Sequence, residues 1–119
     1  MLPFFFMNKR ISWKEYALQI AMVAAKRSED PYLKVGACVL RYDNSVAGVG
    51  YNGAPPKIEI YWSNRDERRK RVVHAEINAL RYVRPNECYL LACTHIPCND
   101  CLRAIASYGI RDVVFRDFY

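Results

Sequence analysis

From Ser12 to Arg27 the apolar residues Tyr16, Ile20, Val23 and Ala24 recur at helical spacing, with Ala17 and Ala21 on the same stripe. Ser12-Trp13-Lys14-Glu15 has the S-x-x-E form of a capping box, so a first helix starts there. It ends near Arg27 to Asp30, because Pro31 cannot continue it. Val35 to Arg41 is an apolar, partly β-branched run, Asp43-Asn44 supplies a turn, and Val46 to Tyr51 is a second run ending in Gly-Tyr-Asn-Gly, which predicts a hairpin. Asn52 to Arg71 is a long surface connection, broken at Pro55-Pro56 and turning helical towards its charged end. His74 to Val83 predicts a second helix, with Ile77, Leu80 and Arg81 at helical spacing and Pro85-Asn86 closing it. Cys88 to Ala92 reads as a short apolar strand and Cys98 to Tyr108 as a third helix with Leu102, Ile105 and Ala106 on one face, closed by Gly109. Val113-Val114-Phe115 is the last strand.

Helices thus alternate with a hairpin and single strands, which points to a layered α/β sandwich around one sheet of mixed strand direction. A chain of 119 residues without repeats or linker-like tracts fits a single domain, residues 1–119. Residues 1–10 are set apart as an apolar N-terminal extension. Its Phe4-Phe5-Phe6 core precedes Asn8-Lys9-Arg10 and has neither a basic region before it nor a small-residue cleavage site, so it does not read as a signal peptide. It is expected to pack on its own domain or on a neighbouring subunit. No run approaches the roughly 18 apolar residues of a membrane span, so no membrane partner is expected.

Five cysteines, with a single C-x-x-C pair among them, make a poor disulfide framework and fit a reducing, cytoplasmic compartment. The net charge of +6 admits an anionic partner, but much of it sits in Arg65 to Arg71, where Asp66 and Glu67 offset it. That run reads as a solvated face, and the phosphate of a mononucleotide satisfies the charge without a stable nucleic acid partner.

The candidate chemistry lies in two short motifs. His74-Ala75-Glu76 starts one predicted helix and Pro97-Cys98-Asn99-Asp100-Cys101 starts another. Cysteines at this spacing share one face at the positive end of a helix, which favours their thiolates. Two sulfurs from Cys98 and Cys101 with one imidazole from His74 suit zinc, and three protein ligands leave the fourth position open, as in catalytic sites. C-x-x-C alone fits a redox pair or half a zinc ribbon equally well. Together with H-x-E it forms the zinc-deaminase signature, in which the glutamate is acid and base and not a ligand. Zinc brings the pKa of a bound water from about 15.7 towards about 7. Glu76, two residues after His74, can then carry protons from that water to the substrate ring and the departing amine.

With these residues in view the chain resembles the deoxycytidylate (dCMP) deaminase family over most of residues 12–115. The similar segments are Ala25 to Pro31, Val35-Gly36-Ala37, Gly50 to Pro55, Val73 to Ala79, Thr94 to Cys101 and Gly109 to Val114. The resemblance implies a cytidine-deaminase-like fold, a three-layer α/β/α sandwich around one mixed, roughly five-stranded sheet. It implies hydrolysis of dCMP to dUMP and ammonia, supplying dUMP for thymidylate synthesis. Asn52 matches a position that contacts the sugar and the pyrimidine, the Ala75 backbone one that touches the ring carbonyl, and Arg27 and Ser28 the phosphate-binding end of the first helix. Tyr119 is a further candidate, closing the phosphate pocket. By itself Asn52 reads equally as a turn residue before Gly53, and Arg27 as a cation at a helix C-terminus.

Larger family members carry a second, structural zinc. Cys38, Cys88 and Cys93 show no ligand pattern and read as small core residues, so one Zn2+ per chain is expected. The family is associated with dCTP and dTTP as effectors, but Pro56-Lys57 departs from it where glycine is commoner, in the loop tied to that regulation. A homo-oligomer, hexamer or dimer, is implied. Two other readings stay open: a deaminase of another cytosine or adenine substrate, such as a free nucleoside or a tRNA base, and a non-catalytic zinc-binding module. Arg27-Ser28 with Gly50 to Gly53 favours the free nucleotide.

Overall fold

The structure, a computed structural model, describes residues 10–117. In chain order the elements are α1 (Trp13–Ala25), β1 (Gly36–Arg41), β2 (Val46–Tyr51), α2 (Arg65–Arg71), α3 (Ala75–Ala79), β3 (Cys88–His95), α4 (Asn99–Ser107) and β4 (Asp112–Asp117). They build one sheet of order β2-β1-β3-β4, antiparallel between β2 and β1 and between β1 and β3, parallel between β3 and β4. The mixed sandwich is as expected, but the sheet has four strands among the described residues and not five. The four are those that the apolar runs themselves predict, and the fifth, implied by the resemblance alone, has no apolar run of its own.

Alternation along the central strands divides the core in two. Cys38 and Leu40 of β1 with Leu90 and Ala92 of β3 face α1, meeting Ala17 and Ala21. Ala37 and Val39 with Leu91 and Cys93 face the other way, onto Ala75 and Ala79 of α3 and Ile105 of α4. A register shift at the end of the β1–β3 ladder places Leu90 opposite Leu40 and Cys88 opposite Arg41. The extra residue turns Cys88 to the α3/α4 side, against simple alternation.

Small residues let both helix layers press onto the sheet. A methyl group at Gly36 would stand 2.6 Å from the Ala25 nitrogen, and one at Gly50 would stand 2.6 Å from the Ala75 oxygen and 2.8 Å from the Asn78 carbonyl carbon. Ser12 caps α1 by accepting from Glu15 N at 3.1 Å, as the S-x-x-E pattern predicts. Gly109, at φ +78°, ends the α4 turn in the left-handed conformation that glycine tolerates.

Some bounds differ from the sequence reading. α3 stops at Ala79 and tight turns follow, with Val83 N donating to Leu80 O at 3.0 Å, because this brings both Leu80 and Val83 into the core. β3 runs on to His95, since Thr94, polar in sequence, is buried with its hydroxyl accepting from Gly36 N at 3.1 Å. The Phe4-Phe5-Phe6 extension and Tyr119 lie outside the described residues. Among the described residues no helix is long and apolar enough to cross a membrane.

Gly50→Ala is expected to destabilise the fold by about 1–3 kcal/mol in urea denaturation. Gly53→Ala, whose added methyl would meet only a Tyr51 ring carbon at 4.0 Å, should change little. Burial pushes the Cys38 thiol from 9.0 up to about 12 and that of Cys88 up to about 11. The folded chain therefore holds these protons where the unfolded chain has released them, so this part of the stability is complete below pH 9 and falls as pH rises towards those values. A Cys38→Ala variant should lose stability less steeply between pH 9 and 11, by at most about 1.4 kcal/mol per pH unit.

Candidate metal centre and its cavity

Two helix starts converge on one point. His74 is the N-cap of α3, at φ −69° and ψ 152°, and Cys98 is the N-cap of α4, at φ −70° and ψ 168°. The approach to His74 is fixed by a reciprocal bridge, Gly53 N to Val73 O at 3.1 Å and Val73 N to Gly53 O at 2.8 Å. Cys98 follows β3 directly, and its sulfur accepts from Cys101 N at 3.4 Å, so the C-x-x-C pair occupies N-cap and N3 of α4. The ligand atoms of His74, Cys98 and Cys101 lie within 4.8 Å of one another. His74 Nδ1 is 3.3 Å from Cys101 Sγ and 3.6 Å from Cys98 Sγ.

These residues fit zinc. With Zn–N near 2.0 Å and Zn–S near 2.3 Å, the edges of a tetrahedral site measure about 3.5–3.8 Å, and both observed separations are close to that. The electrostatics without a metal run against the thiolate expected at a helix start. Burial, with the Glu76 carboxylate and the Cys98 thiol adding to it, pushes the Cys101 thiol well above its ordinary range. A metal ion inverts such a bias, because a coordinated thiol is deprotonated outright.

Glu76 lies in the first turn of α3 and is 2% exposed. Burial, and after it the nearby Glu76 carboxylate, raises the thiols of Cys93 and Cys101 above their ordinary range. It lines a cavity of about 170 Å³ that also touches His74, Ala75 and Val72 on one side and Asp30, Leu33, Val35 and Asn52 on the other. Ala75, first residue of α3, carries an N–H with no partner inside the helix.

The other expected site residues are placed unevenly. Asn52 reaches the cavity, but its side chain already holds the loop opposite: Oδ1 accepts from Val35 N at 2.9 Å, and Nδ2 donates to Leu33 O at 2.9 Å and to Asp30 Oδ2 at 3.2 Å. Ser28 is buried, donating to Asn52 O at 2.7 Å and accepting from Asp30 N at 3.2 Å. Arg27 is not brought to the cavity. It lines a separate apolar groove on the α1 face with Tyr16, Ile20, Val23 and Val49, because the chain turns at Lys26 before reaching the site. The sequence reading passed over Asp30. Its signal was local, a carboxylate just before Pro31 whose Oδ1 accepts from Tyr32 N at 2.8 Å and Leu33 N at 3.2 Å. Cys38, Cys88 and Cys93 are buried, and His74, Cys98 and Cys101 form the single cluster of potential metal ligands found among the described residues.

A His/Cys/Cys triad at two helix starts, with a buried carboxylate two residues from the histidine, defines the zinc-deaminase class of α/β/α sandwich. Comparison with known proteins narrows this. The cytidine and deoxycytidylate deaminase zinc-binding region matches residues 11–117, and the chain belongs to that family. It is similar to the deoxycytidylate deaminase of Mycobacterium phage D29, 38% identical over 125 residues that cover 89% of this chain and 95% of that one. It is 33% identical to the human deoxycytidylate deaminase over 117 residues, 88% of this chain, and spans 65% of that relative's length. The structure of a dCMP deaminase from cyanophage S-TIM5, in complex with dCMP and dUMP, superposes with a TM-score of 0.76 at 30% identity, covering 94% of this chain and 86% of that one.

His74→Ala and Cys101→Ala are each expected to bring bound zinc well below one ion per chain by elemental analysis, whereas Cys38→Ala should leave it unchanged.

Proposed function

We propose that this chain hydrolyses dCMP to dUMP and ammonia. The observation that carries this reading is the His74/Cys98/Cys101 cluster at the edge of a cavity that His74 and the buried Glu76 line together. The choice of a deoxycytidine nucleotide is supported by the deoxycytidylate deaminases among its relatives and by the dCMP and dUMP bound to the cyanophage enzyme. When bound, zinc lowers the pKa of a water in the position left open by the three ligands and so supplies the nucleophile. Glu76 would take one proton from that water and pass it to ring N3 as oxygen attacks C4, then take the second from the new C4 hydroxyl and deliver it to the amine as the C4–N4 bond breaks. Water and dCMP enter, dUMP and ammonia leave, and the carboxylate ends as it began. Glu76, buried in the first turn of α3 two residues after His74, would stand beside the metal without being a ligand to it.

Within one chain the phosphate is better served by α2 than by Arg27. α2 carries Arg65, Arg68, Arg69, Lys70 and Arg71 and runs straight into Val72 at the cavity wall. Arg68 is held with its guanidinium 4.2 Å over the Tyr32 ring and donates to Trp62 O at 2.6 Å, beside the Asp30 to Leu33 segment. One zinc per chain, a homo-oligomeric assembly and a cytoplasmic setting complete the reading. Regulation by dCTP and dTTP would involve the cavity of about 390 Å³ lined by Gly50, Gly53, Ala54 and Pro56.

Ammonia release from dCMP by the zinc-loaded protein tests the proposal, with deoxycytidine and a tRNA stem-loop as controls. Glu76→Gln is expected to keep its zinc and lose at least a hundredfold in kcat. Release from deoxycytidine alone would overturn the nucleotide assignment, and turnover unchanged in Glu76→Gln would overturn the mechanism.

A further inference from the structure

The wall of the cavity facing Glu76 has an unusual hydrogen-bonding character. Both N–H groups of the Asn52 amide are engaged, one on Asp30 Oδ2 at 3.2 Å and one on Leu33 O at 2.9 Å, and its Oδ1 already accepts from Val35 N at 2.9 Å. Asn52 therefore offers the cavity no donor. The Asp30 carboxylate accepts three N–H groups, two on Oδ1 from Tyr32 and Leu33 and one on Oδ2 from Asn52. A carboxylate has about four acceptor sites, so Oδ2 keeps one. Asp30 and Asn52 both line the cavity with Glu76. This wall can only accept. It repels a phosphate and suits an uncharged donor.

We propose that Asp30 contacts the substrate, receiving the hydrogen of its free sugar hydroxyl, and that it thereby selects a nucleotide bearing a 3′-hydroxyl; this rests on the dCMP reading above. The 5′-linked monophosphate of deoxycytidine has one free sugar hydroxyl, at C3′. The ring amine is the other strong donor on that substrate, and it belongs at the Glu76 and metal end. A hydrogen bond to a charged oxygen is stronger than one to the amide oxygen of Asn52. The three N–H groups that fix the carboxylate also hold Oδ2 in place before a ligand arrives.

The test compares dCMP with its 2′,3′-dideoxy and 3′-fluoro analogues on the zinc-loaded enzyme. The fluoro analogue keeps the bulk and polarity at C3′ but cannot donate. Wild-type kcat/KM should fall by about ten- to a hundredfold for both analogues, and Asp30→Asn should bring the ratio of dCMP to dideoxy analogue close to one. The Kd ratio of dUMP and its 3′-deoxy analogue, measured by calorimetry, should move in parallel. A loss in Asp30→Asn shared equally by all substrates would mean that Asp30 only supports the loop, and would overturn the proposal. So would wild-type turnover of the 3′-fluoro analogue at the dCMP rate, a measurement that needs no variant to fold. Absence of any ammonia from dCMP with the wild type would instead sink the deaminase reading, and this inference with it.

Discussion

The closeness of α3 to β2 is the constraint on which the site depends. At Gly48 and Gly50 the strand has no side chain on the inner face, so the helix backbone from Ala75 to Ala79 lies directly on it. A helix held at that distance has little freedom to rotate or slide, because Ala75 and Ala79 are themselves packed against Ala37, Val39 and Leu91. The direction of Glu76 and the position of His74 follow from that seat. A five-residue helix could not secure them by its own hydrogen bonds, since short helices owe their stability to packing.

The metal ligands come from two segments that the sheet locates independently. His74 is set by the ladder of β2 and its bridge through Gly53 to Val73, while Cys98 and Cys101 are set by the far end of β3. The sheet orders β2, β1 and β3 side by side, so the chain leaving one outer strand and the chain leaving β3 reach the same end. A zinc ion at the triad would add a cross-link between α3 and α4 to this arrangement, and the favourable field of the α4 start would assist it. Burial, with the nearby Glu76 carboxylate, favours the protonated Cys101 thiol, a preference that a bound cation would invert.

Much of this was legible in the sequence, and the exceptions have physical causes. The hairpin and the Ser12 cap of α1 depend on neighbours in sequence and stand as read, and the H-x-E and C-x-x-C segments lie at two helix starts whose His74, Cys98 and Cys101 cluster. What the sequence concealed depends on tertiary partners. Thr94 belongs to a strand because its hydroxyl is satisfied by Gly36 from another strand, and Cys88 turns to the opposite layer because of a bulge in the ladder. The first helix, expected to end near Arg27 to Asp30, stops at Ala25 and gives way to a loop in which Ser28, Asp30 and Asn52 hydrogen-bond to one another. Asp30 was hidden for the same reason: its partner is far away in sequence, and its backbone contacts look like an ordinary turn.

That loop also explains why Asn52 alone is an incomplete description of the cavity wall. Asn52 has its amide hydrogens turned into the protein, towards Leu33 O and Asp30 Oδ2, so its local effect is to fix the loop and to orient a carboxylate. The cavity consequently has a polarity. Acceptors without donors lie along the Asp30 and Asn52 side, while cations accompany Val72 through α2. On the proposed dCMP reading, the sugar hydroxyl would lie towards Asp30 and the phosphate towards α2, with the base towards Glu76. On this view the selectivity of the site arises from the way a loop, a strand end and a short basic helix are joined around a rigid metal seat, with the catalytic carboxylate held constant.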